Sequence, residues 1–296
     1  MSIGNIVNEY GEKYSPYMGG FVNHLPMGQL AIYKMTGDLK KVEDYSELFL
    51  SMYRIDRVKP EYHKVDTLEE CVGKRELYES CLELFESRVD DCKKDEFIKD
   101  ILNRYDTGMS SGLFHVLIRL AYSVEGYEMD REMIREIRRS LAYYITAYKK
   151  ADVFTGNTQD SDYLELGLAA ESSQEEKIKS LLKIATSNYI STGSIVALHC
   201  ITGIHALTVL KSYYRDFSKA VDIMTACIAS YLKADGGLED GVSDMEISSK
   251  TWDEIICKGS KASDVHAVKL AYSSYELYKM YGLEELKYAA LKRIEI

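Results

Sequence analysis

The sequence predicts an all-α fold, with residues 1–296 forming a single large domain of packed antiparallel helices. Apolar side chains recur at spacings of three and four along most of the chain, which is typical of amphipathic helices. No run of alternating β-branched residues is followed by hairpin turns. Only 3 of the 296 residues are proline, the residue that breaks helix interiors, while 46% are hydrophobic. The chain therefore has enough apolar material for a sizeable helical core.

Individual helices follow from the position of these apolar residues. In residues 38–55, Asp38 after a glycine is a typical N-cap, and the apolar residues of one face are Val42, Tyr45, Leu48, Phe49 and Met52. The least regular stretches are 59–67 and 151–162, and the acidic, glycine-rich residues 235–241 are expected to form a turn that ends a helix. The ten predicted helical segments are 38–55, 74–89, 111–124, 130–148, 175–189, 194–214, 216–234, 252–259, 263–281 and 283–294.

Charge and composition exclude several classes of function. With 37 Lys and Arg against 47 Asp and Glu, the net charge is −10, which disfavours nucleic acid as a partner. No apolar run approaches the length of a membrane span, and no signal peptide is visible, so we expect no membrane association. The six cysteines form no Cys-x-x-Cys pair, which indicates reduced thiols in the cytoplasm. No glycine-rich dinucleotide fingerprint supports NADPH, although a flavoprotein without that fingerprint stays open.

Histidines are the most informative polar residues. Burying an imidazole costs free energy unless the ring is paired. Several buried imidazoles are satisfied either by ordinary hydrogen bonds in the core or by a shared metal ion, which neutral ring nitrogens bind well. Of the six histidines, His63 lies in a polar stretch and is expected in a solvated loop. The five in apolar context are His24, His115, His199, His205 and His266.

Lys269 follows His266 by three residues, so the two side chains share a helix face. A protonated lysine cannot bind a metal ion. Either carbon dioxide converts its amine into a carbamate, which is an anionic oxygen ligand, or the ammonium pairs with a carboxylate such as Asp264 or Glu276. Asp264 and His266 are two residues apart, and on a helix such residues do not share a face.

Two further groups of residues, each on one helix, also leave two interpretations open. His115, Arg119 and Tyr122 lie on one helix face, and Arg119 and Tyr122 are candidate catalytic residues. Arg119 would either orient an anionic or phenolic substrate or form a partly buried ion pair. His199 and His205 point in different directions on one helix, so only one of them faces a given pocket.

Five motifs carry a resemblance to a known family: NHLPM (23–27), GLFHVLIRLAY (112–122), LHCITGIHAL (198–207), WDEII (252–256) and DVHAVKL (264–270). Their order and wide spacing, from about residue 20 to 282, resemble the questin oxidase-like proteins. That family includes fungal enzymes that oxidatively open the ring of anthraquinones and related polyketides.

The resemblance implies a mononuclear non-haem iron held by four histidines and a carboxylated lysine. By motif, the ligands would be His24, His115, His199, His266 and Lys269, with His199 chosen over His205 on the L-H-x-x-T-G pattern. The substrates would be dioxygen and a quinone-type aromatic molecule. The alternative from a different class is a metal-free helical protein that binds a small aromatic ligand or a protein partner.

Overall fold

Helices dominate the computed structural model, which describes residues 1–151, 172–236 and 250–295. Over these residues the chain forms fourteen α-helices and one two-stranded antiparallel sheet, so the predicted all-α class is confirmed. The backbone divides into two compact units. Unit 1 comprises residues 1–150 and 209–215, and unit 2 comprises 151–208 and 216–296. The single domain expected over 1–296 stays a prediction. None of the described helices is long and apolar enough to cross a membrane.

Unit 1 is built around a buried helix. Every residue from His115 to Tyr127 of α7 is buried, and α7 packs against α2 and α8, while α5 packs on α8. The elements of this unit are α1 (Ile3–Lys13), β1 (Tyr17–Met18), β2 (Phe21–Val22), α2 (Leu25–Thr36), α3 (Leu39–Met52), α4 (Leu68–Cys71), α5 (Tyr78–Arg88), α6 (Lys94–Arg104), α7 (His115–Met129) and α8 (Ile134–Thr146).

Unit 2 contains a helix that is apolar on nearly all sides. Every residue of α10 from Ala197 to Leu207 is buried, which fits a run of mostly apolar and small side chains that is interrupted by His199 and His205. The last helix, α14, packs against α9, α12 and α13. The described helices of this unit are α9 (Gln174–Thr192), α10 (Ile195–Val209, of which Val209 is assigned to unit 1), α11 (Phe217–Ala234), α12 (Trp252–Gly259), α13 (Val265–Tyr281) and α14 (Glu285–Ile294).

Aspartate N-caps begin three of these helices. Asp38 accepts hydrogen bonds from the backbone of Lys40 and Lys41 and starts α3, as predicted from the sequence. Asp216 caps α11 and Asp264 caps α13 in the same way. An N-cap residue has extended backbone, so its side chain is directed differently from that of a residue inside the helix.

The structure differs from the sequence predictions at several boundaries. The helix expected from residue 111 begins at His115, because Leu113 and Phe114 both have positive φ, at 59° and 64°. Helices α1, α2, α4 and α6 lie outside the predicted segments. Residues 59–67 lack helix and strand, as expected. Helix α11 ends at Ala234 and is followed by a turn at Asp235, as predicted. Residues 152–162 and 237–241 of the two remaining irregular stretches lie outside the described residues.

Candidate functional site

The loop after the β-hairpin positions His24 in unit 1. Asn23 holds this loop, since its side-chain amide donates to the carbonyl of Ser15 at 2.9 Å and its Oδ1 accepts from the backbone of Leu25 at 3.0 Å. His24 then forms the N-cap of α2. Its Nδ1 lies 2.6 Å from the carbonyl oxygen of Val22. The ring is therefore fixed by backbone on the hairpin side.

His115 is the first residue of α7, directly after a strained turn. Leu113 and Phe114 have left-handed backbone, which costs roughly 1–3 kcal/mol for each non-glycine residue and persists only where the surroundings impose it. The turn brings the carbonyl of Gly112 into hydrogen-bonding contact with Nδ1 of His115. Strained backbone of this kind clusters at functional sites, so the turn supports a functional role for His115.

The two rings meet through their remaining nitrogens. Nε2 of His24 lies 2.7 Å from Nε2 of His115, and the ring planes are at 83° to each other. A carbonyl oxygen only accepts hydrogen bonds, so each Nδ1 must carry the proton, and each neutral ring then has a lone pair on Nε2. Two lone pairs at this distance repel each other. The pair is therefore stable only with a cation, either a proton or a metal ion, against both nitrogens.

In unit 2, His199 lies in the buried part of α10. Its Nδ1 is 2.7 Å from the carbonyl oxygen of Ile195, one turn earlier, which again leaves the lone pair on Nε2. Its ring is edge-on to that of His266, with centroids 5.2 Å apart. Burial lowers the pKa of His199 far below its usual value, and Lys269 and His266 lower it further. The ring is neutral at pH 7, as a metal ligand must be.

Asp264 orients the ring of His266. As the N-cap of α13, Asp264 accepts from the backbone N–H of His266 at 3.0 Å, and the same oxygen lies 3.2 Å from Nδ1 of the ring. Burial lowers the pKa of His266, while the carboxylate opposes that shift. The expectation that these two side chains would not meet was wrong, because Asp264 precedes the helix instead of belonging to it. An aspartate before an apolar helix is the sequence signal that would have shown this.

Lys269 is fully buried on α13. Its Nζ has no hydrogen-bond partner among the described residues, and its side chain has no exposed surface. Burial lowers its pKa to about 7, a shift that Asp264 partly opposes. The pairing with Asp264 or Glu276 that the sequence left open is not formed, because Asp264 binds Arg293 at 2.6 Å and Glu276 binds Lys279 at 2.8 Å.

The two candidate catalytic residues lie inside unit 1. Arg119 forms a buried ion pair with Glu136, with both Nε and Nη2 2.8 Å from Oε1, which is the second of the two alternatives that the sequence left open. Its Nη1 has no hydrogen-bond partner among the described residues. Tyr122 is buried one turn further along α7. Roles for Arg119 and Tyr122 toward a substrate stay predictions.

His205 differs from the four histidines described above. Its Nδ1 lies 3.2 Å from the hydroxyl oxygen of Ser273, which can either donate or accept. Its ring packs edge-on against Tyr272 at 5.5 Å. These contacts leave the tautomer of His205 unassigned, whereas an oxygen acceptor defines the tautomer of His199. The choice of His199 as a ligand stays a prediction.

Each unit thus brings part of the predicted ligand set together: His24 and His115 in unit 1, and His199, His266 and Lys269 in unit 2. No family model matches the chain, and no curated protein matches it. The resemblance to the questin oxidase-like proteins therefore stays a prediction from the motifs.

Proposed function

We propose that the protein is a mononuclear non-haem iron oxygenase that acts on a quinone-type aromatic molecule. In this proposal His24, His115, His199, His266 and Lys269 hold one iron ion per chain. The choice of metal, the sharing of one ion and the substrate class come from the motif resemblance. The contacts within each unit support the proposal because they direct the Nε2 lone pairs of the histidines toward a metal ion.

One observation carries the proposal: all four histidines have Nδ1 against an oxygen acceptor. The acceptors are the carbonyls of Val22, Gly112 and Ile195 and the carboxylate of Asp264. Histidines that bind metals almost always donate their other ring N–H to such a group, because this fixes the tautomer and raises the basicity of the ligating nitrogen. Four Nε2 lone pairs are thereby prepared for a cation, and three of the rings, those of His24, His115 and His199, are buried.

Lys269 supplies a fifth ligand once it is carbamylated. With a pKa of about 7, a large fraction of its amine is neutral and nucleophilic at physiological pH. The amine lone pair forms a bond to the carbon of carbon dioxide, one C=O bond becomes a C–O⁻ bond, and the nitrogen releases a proton. The product carries a negative charge on oxygen, which suits an iron ligand better than an ammonium does. A buried amine that forms no hydrogen bond to any described residue fits this reaction.

In this proposal, different residues of the protein have different roles in the oxygenase reaction. Iron, when bound, supplies the one-electron chemistry that activates dioxygen. The four imidazoles hold the ion, and the carbamate of Lys269 balances its charge. The burial of His24, His115, His199 and Lys269 keeps water away from reactive species. Tyr122 is assigned to substrate orientation, whereas Arg119 is held in its buried ion pair with Glu136. The cytoplasm is the proposed compartment, since none of the six cysteines forms a disulfide.

Metal analysis of freshly purified protein tests the proposal. We expect about one iron per chain in the wild type and almost none in His115→Ala, because that change removes one of two opposed Nε2 atoms. His63→Ala, which changes an exposed loop residue, is the matched control and should keep its metal. Full metal content in His115→Ala, or a wild type without metal after reconstitution with iron(II), would contradict the proposal and favour the metal-free alternative.

Oxygen consumption tests the reaction itself. The iron-loaded protein should consume dioxygen when hydroxylated anthraquinones are added, and the His115→Ala variant should not. A loaded protein that consumes no oxygen with any quinone-type aromatic compound would leave a metal site without the proposed activity.

A further inference from the structure

A chain of charged contacts links the last helix of unit 2 to His266. Nε of Arg293, on α14, donates to Oδ2 of Asp264 at 2.6 Å. The other carboxylate oxygen of Asp264 lies 3.2 Å from Nδ1 of His266 and accepts from its backbone N–H at 3.0 Å. The contact joins residues 29 positions apart in the sequence. It is partly buried, since the side chain of Arg293 is 22% exposed.

The two oxygens of the Asp264 carboxylate have different hydrogen-bond partners. Oδ1 serves both the helix cap and the imidazole, whereas Oδ2 serves the guanidinium. A carboxylate held at only one oxygen can rotate about its Cβ–Cγ bond and move Oδ1 away from the ring. The charge-assisted bond to Arg293 restrains that rotation. The histidine then keeps its proton on Nδ1 and its lone pair on Nε2.

We propose that Arg293 is a positioning residue that acts through Asp264 to set the tautomer and orientation of His266. The inference rests on the proposed function, in which Nε2 of His266 is a metal ligand. It extends that function by assigning a role to the last helix, which contains no ligand. Arg293 itself binds neither metal nor substrate in this proposal.

Nitrogen NMR of metal-free protein tests the tautomer directly. With ¹⁵N-labelled histidine, the wild-type signals of His266 should show the proton on Nδ1, and a His266→Gln variant assigns those signals. In Arg293→Gln and Asp264→Ser, the population should shift toward protonated Nε2, the form that imidazole prefers in water. Serine is itself a good N-cap, so Asp264→Ser removes the carboxylate while keeping the start of α13.

Two control variants separate this role from general stabilisation of the unit. Lys287→Gln removes a cation from the same helix, where Lys287 pairs with Glu284. Asp216→Ser makes the same substitution at the N-cap of α11. Neither control should change the His266 signals. If they shift the tautomer as much as Arg293→Gln does, or if Arg293→Gln leaves it unchanged, the positioning role is refuted.

Metal titration provides the second measurement. We expect Arg293→Gln to bind iron(II) about 10–100-fold more weakly than the wild type, as for other changes to groups that hold metal-bound histidines. The controls should bind normally. A wild type that binds no metal would refute the proposed function, whereas the NMR result in metal-free protein would still decide whether Arg293 and Asp264 set the tautomer.

Discussion

The amine of Lys269 is buried and forms no hydrogen bond within the part of the chain that the structure describes, and its desolvation has a measurable consequence. Its pKa is lowered from 10.5 to about 7 by burial. Between these values the unfolded chain binds a proton that the folded chain lacks, so the free energy of unfolding rises with pH from about 7 to 10.5. Below pH 7 both states are protonated, and above 10.5 neither is, so the contribution is flat outside that window.

Replacing Lys269 by methionine should remove this dependence. In metal-free protein kept free of carbon dioxide, we expect Lys269→Met to be more stable than the wild type at pH 7, by several kcal/mol. The advantage should shrink as the pH approaches 10. Urea denaturation of both proteins across this range measures it. Lys279→Met, at an exposed position on the same helix, is the control. A constant difference at all pH values would show that the Lys269 amine does not titrate as described.

The residues of the candidate site could be predicted from the sequence, whereas most of their hydrogen-bond acceptors could not. Apolar context and spacing singled out His24, His115, His199 and Lys269, because burial of a polar side chain shows in the residues around it. Their hydrogen-bond acceptors are mostly backbone carbonyls, such as that of Ile195, and a carbonyl has no signature in sequence. Asp264 did have one, as an N-cap, but helical spacing was applied to a residue that lies before the helix.

At the scale of helices, α7 and α8 are joined by a buried ion pair. Arg119 contacts Glu136, and both side chains are at most 2% exposed. Arg139 approaches the second carboxylate oxygen at 3.5 Å and also donates to Asn8 on α1. Removing one partner of such a pair leaves a charge in a low-dielectric environment, which costs far more than the pair itself contributes.

We expect Arg119→Met to lower the free energy of unfolding by about 3–5 kcal/mol. The exposed pair between Arg135 and Glu12 gives the matched comparison, with the same residue types 3.0 Å apart and about half exposed. Arg135→Met should cost less than about 1 kcal/mol. Chemical denaturation of the two variants measures the contrast. Similar losses in both would mean that burial does not govern the strength of the Arg119 contact.

Helix boundaries show where sequence reasoning succeeds and fails at this scale. The start of α3 was predictable, because Asp38 is a strong cap that acts over three residues. The start of α7 was not, because Leu113 and Phe114 extend the apolar pattern of the helix toward residue 111. Leu113 and Phe114 nevertheless adopt left-handed backbone, and Phe114 is fully buried. Tertiary packing overrides local preference there, and no local pattern in the sequence records such packing.

For the molecule as a whole, metal binding and stability are linked. A ligand that binds only the folded state stabilises it by about 2.7 kcal/mol at a free concentration 100 times its Kd. Chelation of the iron should therefore lower the melting temperature of the wild type, and added iron(II) should restore it. His115→Ala should melt at the same temperature with and without chelator. A wild-type melting temperature that ignores both chelator and iron would contradict the proposed centre.

Unit 1 is formed from two segments that are far apart in the sequence, which affects its folding during synthesis. Residues 209–215 complete unit 1, where the side chain of Asn103 contacts the backbone of Tyr213 and Arg215, and the hydroxyl of Tyr213 donates to Asp95. A nascent polypeptide that has just emerged up to Lys150 still lacks this segment. At ribosomal speeds of 5–20 residues per second, roughly 3–13 s pass before Arg215 is synthesised. Residues 1–150 of unit 1 therefore exist for that time without the seven residues, 209–215, that complete the unit.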